Sequence, residues 1–533
     1  MSALVEPRFA LTATWEWAPR AVAIVALVLA LAGVVYRAPY VTRYPFVNAD
    51  EGYYGQLLHS RLDASTSVPD RATGYDSFRF SGASAWPYDV GSLLWGPGHT
   101  VARLVTLLWG ALLLLVTFGL ARELFGWIAG GGAALVLSLS DTFIATSSIL
   151  RPETAAATLG TAAAWLAWRY AASGRPAWPI LLAGALAVSV WQSHAAMTGL
   201  AALPLFAVEL RADARDRLAR LGWFAAGVAC GAALYALSHV LPDPATYQAA
   251  VRYTRVAYRL PLFDFQLSRV FMDEVFHLGR LLEEQRLLAI VGGLAVLVAL
   301  LPAAVRRAPT QLLLLGLLAN FAWLAVMTGA KLPWYLMAYL PLAAILIGRM
   351  LVWPFDATAR RLAWPAGVAT SLSVVAIAVL VWALAPTDQL GEFSESSKDN
   401  YAVLTEELRS VVPPGASVAG DPTYWFALSD RPYRDLRFVL ARKFQRQHQI
   451  GFEQYLDLDP AVDVVVLSSQ GRAFVVDAAL LRQVKPILER RGATRLASFK
   501  HVGYGTVDVY LIPRESAGGP ALDPRGTRAL EGR

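Results

Sequence analysis

Asp50 and Glu51 stand side by side in Asn48-Ala49-Asp50-Glu51-Gly52-Tyr53-Tyr54, with Leu57, Leu58 and Leu62 following at helical spacing. Acids in the first turn of a helix are favoured by its dipole, and a carboxylate held against a hydroxyl is a general base. A second acid occurs in Arg151-Pro152-Glu153, between two apolar runs, where a carboxylate is costly unless it is paired or wet. Lys331-Leu332-Pro333-Trp334-Tyr335 places a cation in a comparable position. Arg252, Arg255 and Arg259 recur at i, i+3 and i+7 among Tyr247, Val251, Tyr258 and Leu260, a stripe of guanidinium forks suited to a phosphate. His194 adds a group that can donate, accept or carry charge. Each of these also has an ordinary alternative: helix-dipole acids facing water, a local ion pair, a snorkelling lysine, a lipid-facing arginine stripe, a hydrogen-bonded structural histidine.

What decides between the readings is where the chain puts these residues. Of 533 residues, 56% are hydrophobic and 16% charged, with mean hydropathy +0.44, which excludes a soluble single-core protein. Mostly apolar runs begin near Ala21, Thr100, Trp127, Thr154, Trp178, Ala195, Leu218, Leu287, Gln311, Pro333 and Trp364. At 1.5 Å per residue they predict about eleven transmembrane helices, hence an α-helical polytopic membrane protein. Asp141 interrupts one run, and Gln192, Ser193 and His194 divide another. Basic clusters at Arg8 and Arg20, Arg122, Arg169 and Arg175, Arg211 to Arg220, Arg306 and Arg307, and Arg349 to Arg361 fall in alternate connections. The positive-inside rule makes those connections and the N-terminus cytoplasmic, and it accounts for the net charge of +7 without a nucleic-acid partner. The first run is read as an uncleaved anchor in the cytoplasmic (inner) membrane; its Ala30-Leu31-Ala32 stretch leaves a signal peptide as the competing reading.

With that orientation Asp50, Glu51, Glu153, His194, Arg255, Arg259 and Lys331 all fall on the extracytoplasmic side, near the membrane surface. The transmembrane domain is expected over residues 1–385, with outer loops 37–99 and 242–286. Residues 386–513 read as a small extracytoplasmic α/β domain: a helical pattern at Tyr401 to Val411, an apolar strand at Val462 to Leu467, a helix at Ala478 to Arg491 and a hairpin near Gly503 to Gly505. Asp463, at the edge of that strand, reads as structural, and residues 514–533 as a disordered tail. A transporter would bury its ionisable residues near the midplane in two symmetric halves, and neither acidic midspan positions nor an internal repeat is present. No Gly-rich phosphate loop and no dinucleotide fingerprint supports a cytoplasmic nucleotide donor. Cys230 has no partner for a disulfide or a cysteine-rich metal site. Asp50, Glu51 and His194 share no metal-ligand spacing, so no metal or other cofactor is assigned.

In order and spacing these segments resemble the integral-membrane glycosyltransferases of the GT-C class, in the branch of the protein O-mannosyltransferases and lipid A aminoarabinose transferases (glycosyltransferase family 39-like). Asn48 to Tyr54 resembles the first-loop acidic motif of that branch, and Val101-Ala102-Arg103-Leu104 the opening of its second helix. Ile149-Leu150-Arg151-Pro152-Glu153 resembles its second acidic motif, and Lys331 to Leu336, with Pro341 beyond, the lysine-proline-tyrosine segment of a late helix. The resemblance covers roughly residues 15 to 385. It implies inverting transfer of a hexose or pentose from a polyprenyl-phosphate sugar donor to a lipid, polysaccharide or protein acceptor in the cell envelope. Asp50 would be the base, with Glu51 and Glu153 as supporting or acceptor-positioning acids. Lys331, Arg255 and Arg259 would hold the donor phosphate, and Arg151, Tyr335 and His194 are further candidates. The lysine-diproline motif common late in the first loop of the branch is missing from Arg79 to Tyr88, which puts acceptor identity, lipid A above all, in doubt. A lipid-linked sugar flippase or carrier would use the same arginines without depending on Asp50, and a non-catalytic membrane subunit would depend on neither.

Overall fold

The structure, a computed structural model, describes residues 17–41, 47, 49–59, 82–173, 176–242, 244, 247–248, 267–327, 332–364, 366–385, 401–436, 451–457, 461–468, 478–501 and 504–513. Its first part is a helical bundle: α1 (Ala18–Arg37), α2 (Ala49–His59), α3 (Gly82–Trp95), α4 (His99–Phe125), α5 (Trp127–Ser138), α6 (Asp141–Ser148), α7 (Pro152–Ala171), α8 (Trp178–Ser193), α9 (Leu203–Arg211) and α10 (Arg217–Tyr235). It continues with α11 (Leu267–Glu284), α12 (Arg286–Ala299), α13 (Ala308–Met327), α14 (Leu340–Leu362) and α15 (Ala366–Leu384). Small residues face inward and large apolar ones outward, the pattern of helices packed in lipid. On α1, Ala23, Ala26 and Ala30 are buried against α5, while Val25, Val28, Leu29 and Val35 are exposed.

Each expected apolar run begins at helical structure, yet by length and composition six of the described helices can span a bilayer, or seven with the bent pair α5 and α6. Part of the difference comes from breaks that hydropathy does not register, and part from composition, since the unbroken α7 is rich in alanine and threonine. The α5 and α6 axes differ by 67°, and the Gln285 side chain covers the polar groups at that break. It accepts from Ser140 Oγ at 2.9 Å and from the Asp141 amide at 3.2 Å, and donates to Thr142 Oγ1 at 2.8 Å. The run from Trp178 stops at Ser193 and resumes as a 3-10 helix over Ala195–Ala202, whereas α12 has only 14 residues.

From residue 401 the chain forms α16 (Tyr401–Val411), α17 (Ala478–Arg490) and a five-stranded sheet of order β2-β1-β3-β5-β4. Its strands are β1 (Val418–Gly420), β2 (Tyr433–Asp435), β3 (Val464–Ser468), β4 (Thr494–His501) and β5 (Gly505–Leu511). β1 is parallel to β2 and β3, while β5 runs antiparallel to β3 and β4. The α16 and α17 ranges and the hairpin agree with the sequence reading, and Gly505 opens β5 at φ +69°, a conformation that favours glycine. Period-2 alternation separates two cores. Val465 packs with Ala419, Val484 and Leu488 beneath α17. Val464 and Val466 join Val507 and Val509 in a cluster that also contains Tyr53, Tyr54, Leu58, Ala102 and Leu150 of the bundle. Asp463 Oδ2 accepts the Ser417 amide at 2.9 Å. The expected tail, residues 514–533, lies outside the described residues.

Candidate active site

Successive residues of an α-helix point about 100° apart, so the neighbours Asp50 and Glu51 have different surroundings. Glu51 is fully buried and paired with Arg103 of α4: Nε donates to Oε2 at 2.7 Å and Nη2 to Oε1 at 2.6 Å. The Leu150 amide also donates to Glu51 Oε2 at 3.1 Å, and Arg103 Nη1 donates to the Val41 carbonyl at 2.7 Å. This bidentate pair ties α2 to α4 and to the turn before α7. Asp50 points the other way. Its side chain is 39% exposed, and Oδ2 accepts from Arg151 Nη1 at 2.9 Å.

Arg151 is the centre of the cluster. Its Nη2 donates to Glu153 Oε1 at 2.9 Å, while its guanidinium carbon lies 3.9 Å from the centroid of the Trp334 ring and 5.8 Å from that of Tyr54. Burial alone would lower the Arg151 pKa, but the Glu153 charge first, then Tyr54 and Asp50, outweighs it and holds the group above the ordinary guanidinium value. Glu153 is fully buried and also stands 3.8 Å from His194 Nε2. Since His194 Nδ1 accepts the Ala196 amide at 3.1 Å, Nε2 carries the ring proton that faces Glu153. The Tyr335 ring packs against His194 in a tilted contact, with centroids 5.2 Å apart. Asp50, Arg151, Glu153, His194 and Tyr335 therefore form one continuous network. Glu51 adjoins it as the acid whose charge Arg103 cancels. Within this cluster the carboxylate that meets solvent is Asp50.

Two supports place the network. Arg37, buried at the end of α1, donates through Nη1 to the Ile144 carbonyl at 2.9 Å, to Ser147 Oγ at 2.9 Å and to Ser148 Oγ at 3.0 Å. A cation thus sits at the C-terminal end of α6, just before the Arg151 turn. The second support comes from the C-terminal part. Relative to Asp50, Gly52, Gly55, Gln56 and His59 project at about 200°, 140°, 240° and 180°, the opposite face of α2. That face lies on the 3-10 helix Pro422–Leu428. A Cβ on Gly52 would overlap the Pro422 carbonyl, and one on Gly55 would come within 2.5 Å of the Phe426 ring. Gln56 Nε2 donates to the Tyr433 carbonyl at 3.1 Å, and the Val47 amide to the Tyr504 hydroxyl at 3.0 Å. α2 is thus enclosed between α4 and the sheet-bearing region, because its glycines let backbone approach backbone.

Lys331, Arg255 and Arg259 lie outside the described residues. The flanking segment of Lys331 is described, and it reveals residues the sequence reading passed over. On α11, Glu274 and His277 are buried side by side; His277 Nδ1 stands 3.1 Å from Glu274 Oε1, and Nε2 stands 2.9 Å from the Leu332 carbonyl. Tyr339 donates to the same Glu274 oxygen at 2.6 Å. Both ring nitrogens of His277 therefore stand within hydrogen-bond distance of an oxygen, which holds the ring in place. This clamp fixes the segment whose Trp334 covers Arg151. Glu274 and His277 sit at i and i+3, a spacing the sequence displays but which the neighbouring arginines overshadowed. Among the described residues no group of three or more His, Cys, Asp or Glu side chains could hold a metal ion.

No protein-family model and no curated protein matches this chain. Among solved structures it is similar to ArnT from Cupriavidus metallidurans bound to undecaprenyl phosphate, at 15% identity over 96% of this chain and 100% of that one, with a TM-score of 0.57. The apo state of ArnT gives 16% identity over 94% and 98%, with a TM-score of 0.55. The apo Archaeoglobus fulgidus oligosaccharyltransferase gives 13% identity over 85% and 70%, with a TM-score of 0.50. The chain has the GT-C fold of these membrane glycosyltransferases.

Proposed function

We propose that the chain is an inverting glycosyltransferase that moves a sugar from a polyprenyl-phosphate donor to a hydroxyl or phosphate of an acceptor on the extracytoplasmic face of the cytoplasmic membrane. The observation that carries the reading is the division of labour among the acids: Glu51 and Glu153 are fully buried, whereas Asp50 combines exposure with a fixed orientation on Arg151. That arrangement occurs in a chain whose fold matches ArnT with undecaprenyl phosphate bound.

In this mechanism the Asp50 carboxylate takes the proton of the acceptor as its oxygen attacks the anomeric carbon. The bond from that carbon to the donor phosphate oxygen breaks on the opposite side, which inverts the centre, and polyprenyl phosphate leaves with the electron pair. As Asp50 becomes neutral, Arg151 remains charged through its contacts with Glu153, so no buried cation is left unpaired. Lys331, Arg255 and Arg259 are the proposed partners of the leaving phosphate, whose charge grows in the transition state. The mechanism assigns no step to a metal. Expected of Asp50→Asn in liposomes with a labelled polyprenyl-phosphate sugar and a mixed acceptor extract is a loss of polyprenyl phosphate release of at least about 10²-fold. Donor that changes leaflet equally in both proteins, without release, would refute transfer and favour a carrier.

A further inference from the structure

At the end of the bundle away from Asp50, faces of α12 and α14 and the start of α13 line a groove. Its floor is built from small and apolar side chains, Ala295 and Ala299 among them, with Thr310, Trp353, Arg307 and Arg349 around them. On α14, Leu346, Arg349, Met350 and Trp353 repeat at i, i+3, i+4 and i+7, so one face of the helix supplies one wall.

The electrostatics of the groove are one-sided. Arg349 is largely buried, with 19% of its side chain exposed, and its nearest carboxylate, Asp356, stands 3.8 Å away and is itself 44% exposed. The like charges of Arg307 and Arg360 act on Arg349 against that partial compensation. Arg306, Arg307, Arg360 and Arg361 are exposed at the same end of the bundle. The Arg349 guanidinium carbon lies 5.4 Å from the centroid of the Phe125 ring, a contact that supplies no acceptor. A half-buried fork, a second free fork at the rim, and an apolar floor with a tryptophan at the side match an anion attached to hydrocarbon.

We propose that this groove binds the headgroup phosphate of an anionic phospholipid from the leaflet opposite the active site, with Arg349 and Arg307 on the phosphate and the first methylenes of the acyl chains along Ala295 and Ala299. A diacyl lipid fits better than a soluble anion because apolar side chains line the groove beside the two guanidinium groups. Basic pockets between transmembrane helices recognise anionic headgroups in this way.

The test is native mass spectrometry and thermal unfolding of the full chain in detergent, titrated with dioleoyl phosphatidylglycerol, dioleoyl phosphatidylcholine or inorganic phosphate. Phosphatidylglycerol should be retained and raise the unfolding temperature, and phosphatidylcholine should do neither. The double variant Arg307→Gln/Arg349→Gln should bind phosphatidylglycerol roughly thirtyfold more weakly, the sum expected for two basic groups. The variant Arg306→Gln/Arg361→Gln, which alters the exposed end and spares the groove, should bind it as the wild type does. Equal weakening in both double variants would mean a diffuse surface potential and overturn the site. An equal shift with inorganic phosphate would make it a free-anion site and overturn the lipid assignment. Should Arg307→Gln/Arg349→Gln fold poorly, the single variant Arg307→Gln, at an exposed position, must still weaken retention several-fold or the proposal fails.

Discussion

Placing an alanine at Gly52 tests whether the region after residue 401 holds Asp50 in place. Gly52 lies two residues from Asp50 on the opposite face of α2, against the Pro422 carbonyl, with Thr423 N 3.2 Å from the position a Cβ would take. The obstacle is backbone, which cannot rotate aside as a side chain can, so α2 must withdraw by more than about 1 Å; displacing a reacting group by that much costs about 10²-fold in rate. The assay is release of polyprenyl phosphate in liposomes, with kcat and donor KM determined separately. Expected for Gly52→Ala is a fall in kcat near that size with donor KM within about threefold of wild type, because the proposed phosphate partners lie on other segments. Gly33→Ala and Gly222→Ala are the controls, since a Cβ at either position meets nothing within 4 Å. Gly55→Ala differs in kind: its obstacles are the ring tips of Phe426 and Trp425 at 2.5–2.7 Å, so Gly55→Ala/Phe426→Leu should recover much of the activity that Gly55→Ala loses. Full kcat in Gly52→Ala at wild-type thermal stability would refute the bracing role, and so would an equal loss in the Gly33→Ala control.

Three further outcomes follow from named contacts. Glu51→Gln leaves Arg103 buried without its carboxylate and should destabilise the protein by about 3–5 kcal/mol, whereas Glu51→Leu/Arg103→Met should return most of that stability while losing activity; denaturant midpoints and release assays on both variants separate the two effects. His277→Ala removes the clamp on the Leu332 carbonyl and should raise donor KM by several-fold to about tenfold, the scale of one hydrogen bond; His277→Gln, which keeps an N–H donor, should recover part of it, and an unchanged KM in the alanine variant would exclude the clamp. Hydrogen bonds from Arg491 hold the Asp457 carboxyl below its ordinary value, so the stability it contributes is present above the unfolded-state pKa and is lost as pH falls through the lower folded value. Asp457→Asn should therefore be slightly less stable than wild type at pH 7 and equal to it at pH 2, as read by thermal unfolding.

Much of this molecule is legible in its sequence, and the reasons are local. Partition into a membrane depends on the length and composition of a run, which is why each apolar run begins at helical structure, and period-2 and period-3.6 patterns located β3, α16 and α17. The second acidic motif could be recognised as a short string because the residues that pair within it, Arg151 and Glu153, are close in sequence. Other properties depend on partners far along the chain. Nothing local distinguishes Asp50 from Glu51; Arg103, 52 residues from Glu51, buries one carboxylate and thereby leaves the other to the solvent side. Whether an apolar run stays one helix depends on what satisfies the polar groups at a break, and Gln285 does so for the Ser140 hydroxyl and the Asp141 amide from 145 and 144 residues away. The glycines of α2 become meaningful only against Pro422 and Phe426, and Arg349 becomes a binding group only where α12 and α14 leave a gap beside it. Composition and spacing set what each segment can form, but burial, charge compensation and backbone approach are properties of neighbours, and in this protein the neighbours that define the active site are brought together by the tertiary fold.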